Sequence, residues 1–104
     1  VCGPNGCYTS SIVNAINAGA DYVDPATGQR LVALNLSLGG GQLSTAEKNA
    51  IANATAKGVL VIASAGNSGT NKVACPACDD NALSVASTTW QDQLATYSQY
   101  GRGL

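Results

Sequence analysis

The 104-residue sequence contains no histidine and no methionine, and only 11% of its residues are charged. Without histidine, the chain by itself cannot assemble a Ser-His-Asp or Cys-His nucleophilic site, or a zinc site with imidazole ligands. Five basic residues against six acidic ones leave a formal charge of -1. That balance argues against a nucleic-acid partner and against a polybasic membrane surface. No run reaches the roughly 18 apolar residues of a membrane span. No basic segment followed by an apolar stretch marks a signal peptide. The missing methionine leads us to expect an internal piece of a larger protein, where the lack of a signal peptide says nothing about secretion.

What is present suits one small domain. Apolar residues make up 45% of the chain, enough for a core and too many for compositional disorder. Cys2, Cys7, Cys75 and Cys78 allow three pairings. Their two pairs lie too far apart in sequence for a zinc ribbon. Cys75-Pro76-Ala77-Cys78 has the spacing of a thiol-redox motif. However, Asp79 and Asp80 follow it directly and would disfavour a thiolate, and no strand precedes it. Disulfides of an exported protein are the favoured reading.

Hydrophobic spacing predicts an α/β order. Thr9 to Ala18 reads as a helix with Thr9 or Ser10 as its cap, Ile12, Val13 and Ile16 on one face, and Gly19 as its left-handed end. Residues 21 to 30 read as a loop. Leu31 to Leu38 reads as a strand with aliphatic side chains on both faces, suited to a central position. Ser44-Thr45-Ala46-Glu47 forms a capping box. The helix it opens runs to about Lys57, with Ala46, Ala50, Ile51 and Ala54 inward and Glu47 mostly outside. Gly58 stops it. Val59 to Ser64 and Ala82 to Ser87 read as further strands, separated by a cysteine-bearing loop. A helix between two strands implies parallel pairing with a right-handed crossover.

Ligands of such sheets sit beyond the carboxyl ends of the strands. The segments there are Ser37-Leu38-Gly39-Gly40-Gly41 and Ala65-Gly66-Asn67-Ser68-Gly69. Neither carries a phosphate-loop pattern or a lysine. They can be plain glycine turns. They can also do specific chemistry. Bare backbone at Ser37 to Gly39 can pair with an extended peptide. The Asn67 carboxamide can donate to a developing oxyanion. Small residues Ser64, Ala65 and Gly66 can leave a slot for a side chain.

Asn35-Leu36-Ser37-Leu38-Gly39-Gly40, then a capped helix ending in Lys57-Gly58-Val59, then Val61 to Gly69, closely resembles the subtilisin-like serine peptidases (subtilases). Cys75-Pro76-Ala77, Ala82 to Ser87 and Ala95 to Gly101 match the family's later segments in order and spacing. The resemblance runs from about Tyr8 to Leu104. It implies a three-layer fold, a mainly parallel sheet flanked by helices. Residues 1–104 would be the central part of the catalytic domain, incomplete at both ends. Ser37, Leu38 and Gly39 would form one wall of the S1 pocket, and Ser64, Ala65 and Gly66 the other. Ala74 would lie near its base, and Asn67 would be the oxyanion-hole asparagine. The turn from Gly3 to Gly6 would lie along the far side of the substrate.

The resemblance also implies a secreted serine endopeptidase as the parent, monomeric, acting on polypeptide. It implies no cofactor in this chain and allows calcium in the full-length parent. Asp21, Asp24, Asp79 and Asp80 read as solvated loop acids rather than ligands. Departures from the family pattern are Ser64 for alanine, Ala74 for glycine, and the cysteines. Cys2–Cys7 and Cys75–Cys78 bridges would each stiffen a pocket rim, with cross-rim pairing left open. None of the family's Asp, His and Ser triad motifs is in this chain, so we expect it to be inactive alone. Two alternatives stand beside the peptidase reading: a catalytically inactive peptide-binding relative, and a Cys75–Cys78 redox module.

Overall fold

A computed structural model describes all of residues 1–104. The element order is β1 (Cys2–Gly3), β2 (Gly6–Cys7), α1 (Thr9–Asp21), β3 (Ala33–Leu36), α2 (Thr45–Ala56), β4 (Leu60–Ser64) and β5 (Ala82–Val85). β1 and β2 make a small antiparallel hairpin. β3, β4 and β5 make one parallel sheet in that order, with Leu34 opposite Val61 and Val61 opposite Ala82.

Side-chain alternation along these strands divides the sheet into two unlike faces. One carries Val61, Ala63 and Leu36, which join Ile12, Ile16 and Ala20 of α1 and Ala50, Ile51 and Ala54 of α2 in a single core. Both helices therefore cover the same face. The other face carries Leu60, Leu83 and Val85, all exposed. The aliphatic run at 31–38 was expected to be a central strand. Within this chain it is the edge strand, hydrogen-bonded only to β4, and Val32 is 80% exposed. The central strand is β4.

Local sequence accounts for most boundaries, with three corrections. α1 is capped by Tyr8, which makes no side-chain cap; the Ile12 N–H donates to the Tyr8 carbonyl at 3.1 Å. Gly19 lies inside α1 and does not end it. A Cβ there would come within 2.5 Å of Leu34 Cδ2, so this glycine serves close helix–sheet packing. On α2, Ala46 is exposed and Glu47 is buried. The reason is the capping box itself. The Glu47 N–H donates to Ser44 Oγ at 3.1 Å, and the Ser44 N–H donates to Glu47 Oε2 at 2.9 Å. Folding back to Ser44 draws the carboxylate under neighbouring chain. Gly58 ends α2 at φ +79° as expected.

The acidic loops also divide. Asp21 pairs with Lys57. Asp24 accepts from the Thr27 hydroxyl at 2.7 Å and the Ala26 N–H at 2.9 Å. Asp79 is not a solvated loop acid. It is 5% exposed, accepts from the Asn81 N–H at 2.8 Å through Oδ1, and leaves Oδ2 without a partner.

Removing the cap by Ser44→Ala should lower stability by about 1 kcal/mol, read from denaturant unfolding of the full-length protein; no loss would mean that the box does not hold α2. The Thr27 hydroxyl, and then the Ala26 N–H, holds the Asp24 carboxyl below the usual carboxylate range. Because the folded value is depressed, this turn is most stable above the ordinary aspartate pKa. That contribution is lost as pH falls through the depressed folded value. NMR titration should find Asp24 below the ordinary aspartate value, and Thr27→Val should raise it toward that value, with the Ala26 N–H bond retained.

Candidate active-site cleft

β4 delivers the site. Past Ser64 the chain turns at Gly66, with φ +109°, and presents Asn67 as an exposed residue. β3 ends nearby and presents Ser37, Leu38 and Gly39. Between them lies a cleft of about 290 Å³, lined by Ser37, Leu38, Gly39, Ser64, Gly66 and Asn67, together with Ala74 and Gln99. The two glycine-rich strand ends thus face each other across one space. Ser64 Oγ donates to the Leu38 carbonyl at 3.5 Å, a weak bond between the walls. The Gly40 N–H donates to the Cys75 carbonyl at 3.0 Å.

Ala65 is the expected wall residue that does not line this cleft. It is 1% exposed and packs in the core. Strand alternation explains this, since Ser64 and Ala65 point to opposite sides. Its backbone still serves the site. The Ala65 N–H donates to Val85, and its carbonyl accepts from the Ala74 N–H at 2.8 Å. Ala74 is thereby held in the lining of the cleft.

The hairpin forms a second border. A neighbouring cavity of about 490 Å³ lies between Gly6 and Cys7 on one side and Leu38 to Gly41 on the other, with Cys75 and Pro76 along it. The bridges are Cys2–Cys7 and Cys75–Cys78, and no cysteine is free. Each closes a local turn on the rim of this cavity, and neither crosses it.

Gln99 was missed by sequence reasoning. It is 9% exposed and borders the cleft from the carboxyl-terminal segment. No local signal marks it, because its partners are the distant Gly66, Ser68 and Lys72. Its segment is locked to the sheet. The Ser87 N–H donates to buried Ser98 Oγ at 2.9 Å, and the Ala95 N–H donates to the Ser87 carbonyl at 2.9 Å. The Gly69 N–H in turn donates to the Tyr97 carbonyl at 2.8 Å.

A family model described as the subtilase family matches residues 1–104. The chain belongs to the subtilase family. Among its relatives, subtilisin BL of Lederbergia lenta is 39% identical over 90 residues, covering 86% of this chain and 34% of that protein. Alkaline elastase YaB of a Bacillus strain is 47% identical over 70 residues, covering 67% of this chain and 18% of that one. A solved protease structure from Pseudoalteromonas arctica superimposes with TM-score 0.88 at 30% identity, over all of this chain and 32% of that one. The expected fold, a mainly parallel sheet flanked by helices, is thus that of known proteases. The subtilase chain spans about a third or less of the length of these relatives.

At Gly66 an added Cβ would collide with the Gln99 amide, lie 2.5 Å from its Cδ and 2.9 Å from the Ala74 Cβ. Combined with the positive φ, this makes Gly66→Ala costly, by about 1–3 kcal/mol. Denaturant unfolding of the full-length protein checks it. A change below about 0.5 kcal/mol, the usual scale of a neutral surface substitution, would refute this close packing.

Proposed function

We propose that the full-length parent is a secreted serine endopeptidase, and that this segment supplies its oxyanion donor and S1 walls while the triad comes from other parts of the parent. The observation that carries this reading is the convergence of Ser37–Gly39, Ser64, Gly66 and Asn67 on one cleft. A peptide laid along Ser37 to Gly39 would gain backbone hydrogen bonds, as in strand addition. Its P1 side chain would enter the slot between Leu38 and Ser64, above Ala74. The scissile carbonyl would then stand near Asn67. As a serine from elsewhere in the parent attacks, negative charge gathers on the carbonyl oxygen. Asn67 Nδ2 would donate to that oxygen beside a backbone N–H. No group in the cleft would need to titrate for this role, because a carboxamide donates at any working pH.

The small walls suit a side chain of limited width, and Ala74 would shorten the slot relative to glycine. The parent would act as a monomer on polypeptides, with calcium as a further requirement open to test by chelation. The separate 104-residue chain would not hydrolyse peptides.

Removing one oxyanion donor in subtilisin costs about 10²–10³ in kcat, and that magnitude is borrowed for this relative. In the full-length parent, Asn67→Ala should lower kcat for a chromogenic peptide by about 100-fold with little change in KM. A kcat within a factor of about two of the parent's would refute the oxyanion role. A parent that binds peptide without cleaving it would favour the inactive peptide-binding alternative.

A further inference from the structure

We infer that Gln99 is a positioning residue that holds the Asn67 turn in register for oxyanion donation. This inference rests on the peptidase reading of the cleft. Its basis is a set of hydrogen bonds that bracket Asn67 on both sides. The Gln99 backbone N–H donates to the Gly66 carbonyl at 2.9 Å. Its side-chain Nε2 donates to the Lys72 carbonyl at 2.6 Å, and its Oε1 accepts from the Ser68 N–H in a longer, weaker bond at 3.4 Å. One residue thus ties down the position before Asn67, the position after it, and the far end of the loop.

Two further features suit Gln99 to this work. Its amide packs close to Gly66, where an added Cβ would collide with it. The side chain therefore occupies space that only glycine leaves free. Gln99 is also anchored independently of the loop it braces, because the neighbouring Ser98 Oγ accepts from the Ser87 N–H, two residues past β5. A flexible glycine-bounded turn is in this way referenced to the sheet. Asn67 has no side-chain hydrogen bond of its own, so its aim depends on the backbone beneath it. Oxyanion donors act over a narrow distance range, about 2.7–3.1 Å. A displacement of about 1 Å can cost as much as 100-fold in rate.

The test is a double-mutant cycle in the full-length parent. Gln99→Met keeps the bulk and removes both side-chain hydrogen bonds. It should lower kcat about 10-fold with KM within about twofold. In an Asn67→Ala background it should cost less than about twofold more, because there would be no donor left to aim. Full additivity of the two losses would overturn the inference while leaving Asn67 as a donor. A kcat within twofold for Gln99→Met alone would also overturn it. An inert Asn67→Ala would remove the oxyanion reading and this role together. If Gln99→Met fails to fold, Gln99→Glu takes its place in the cycle; it keeps an acceptor for Ser68 and sets a carboxylate against the Lys72 carbonyl. Amide exchange at Ser68 and Gly69, whose N–H groups donate to Gln99 Oε1 and to the Tyr97 carbonyl, read by NMR on the same proteins, needs no turnover. It should accelerate by about tenfold or more in the Gln99 variant, and unchanged exchange would count against the brace.

Discussion

Strand β4 is the element on which everything else depends. It alone is paired on both edges, to β3 and to β5. Its Val61 and Ala63 are almost fully buried against the helices, and its carboxyl end runs directly into Gly66 and Asn67. Fixing β4 therefore fixes three things together: the sheet, the core and the origin of the candidate site. Burial of Ile16 and Ile51 above it supplies the driving force, since apolar area removed from water dominates the favourable side of folding. The parallel pairing with β3 brings Ser37 to Gly39 to the same end of the sheet.

The cleft is built from small residues and backbone, with no charged side chain lining it. Such a site can bind, orient and donate hydrogen bonds. Without histidine in the chain, it has no imidazole base to pair with a serine or cysteine nucleophile. Its rigidity is achieved by loop-to-loop hydrogen bonding. The 66–70 turn is held by the 95–100 segment, which is held in turn by Ser87, two residues past β5. Two local disulfides border the adjoining cavity. The sheet's other face leaves Leu60, Leu83 and Val85 exposed.

Legibility followed distance along the chain. The capping box, the stop at Gly58 and the three sheet strands could be read from residues a few places apart, because capping, periodicity and left-handed glycines are local physics. Errors arose where a distant neighbour overruled local preference. Gly19 looked like a helix end, yet Leu34 across the core makes it a packing glycine. Glu47 looked exposed by periodicity, yet its bond to Ser44 draws it inward. Asp79 looked solvated, yet it is buried in the turn before β5.

The same division holds for the site. The sequence by itself determined the family, the order of strands and helices, and the small residues at the strand ends, since each is written in contiguous motifs. Only the tertiary structure decided that those ends share one cleft, that Ala65 turns into the core, and that both disulfides close locally. It alone tied Gln99 to Gly66 and Ser68, on either side of Asn67, because a hydrogen bond across about thirty residues depends on where the chain returns in space, which no local pattern encodes.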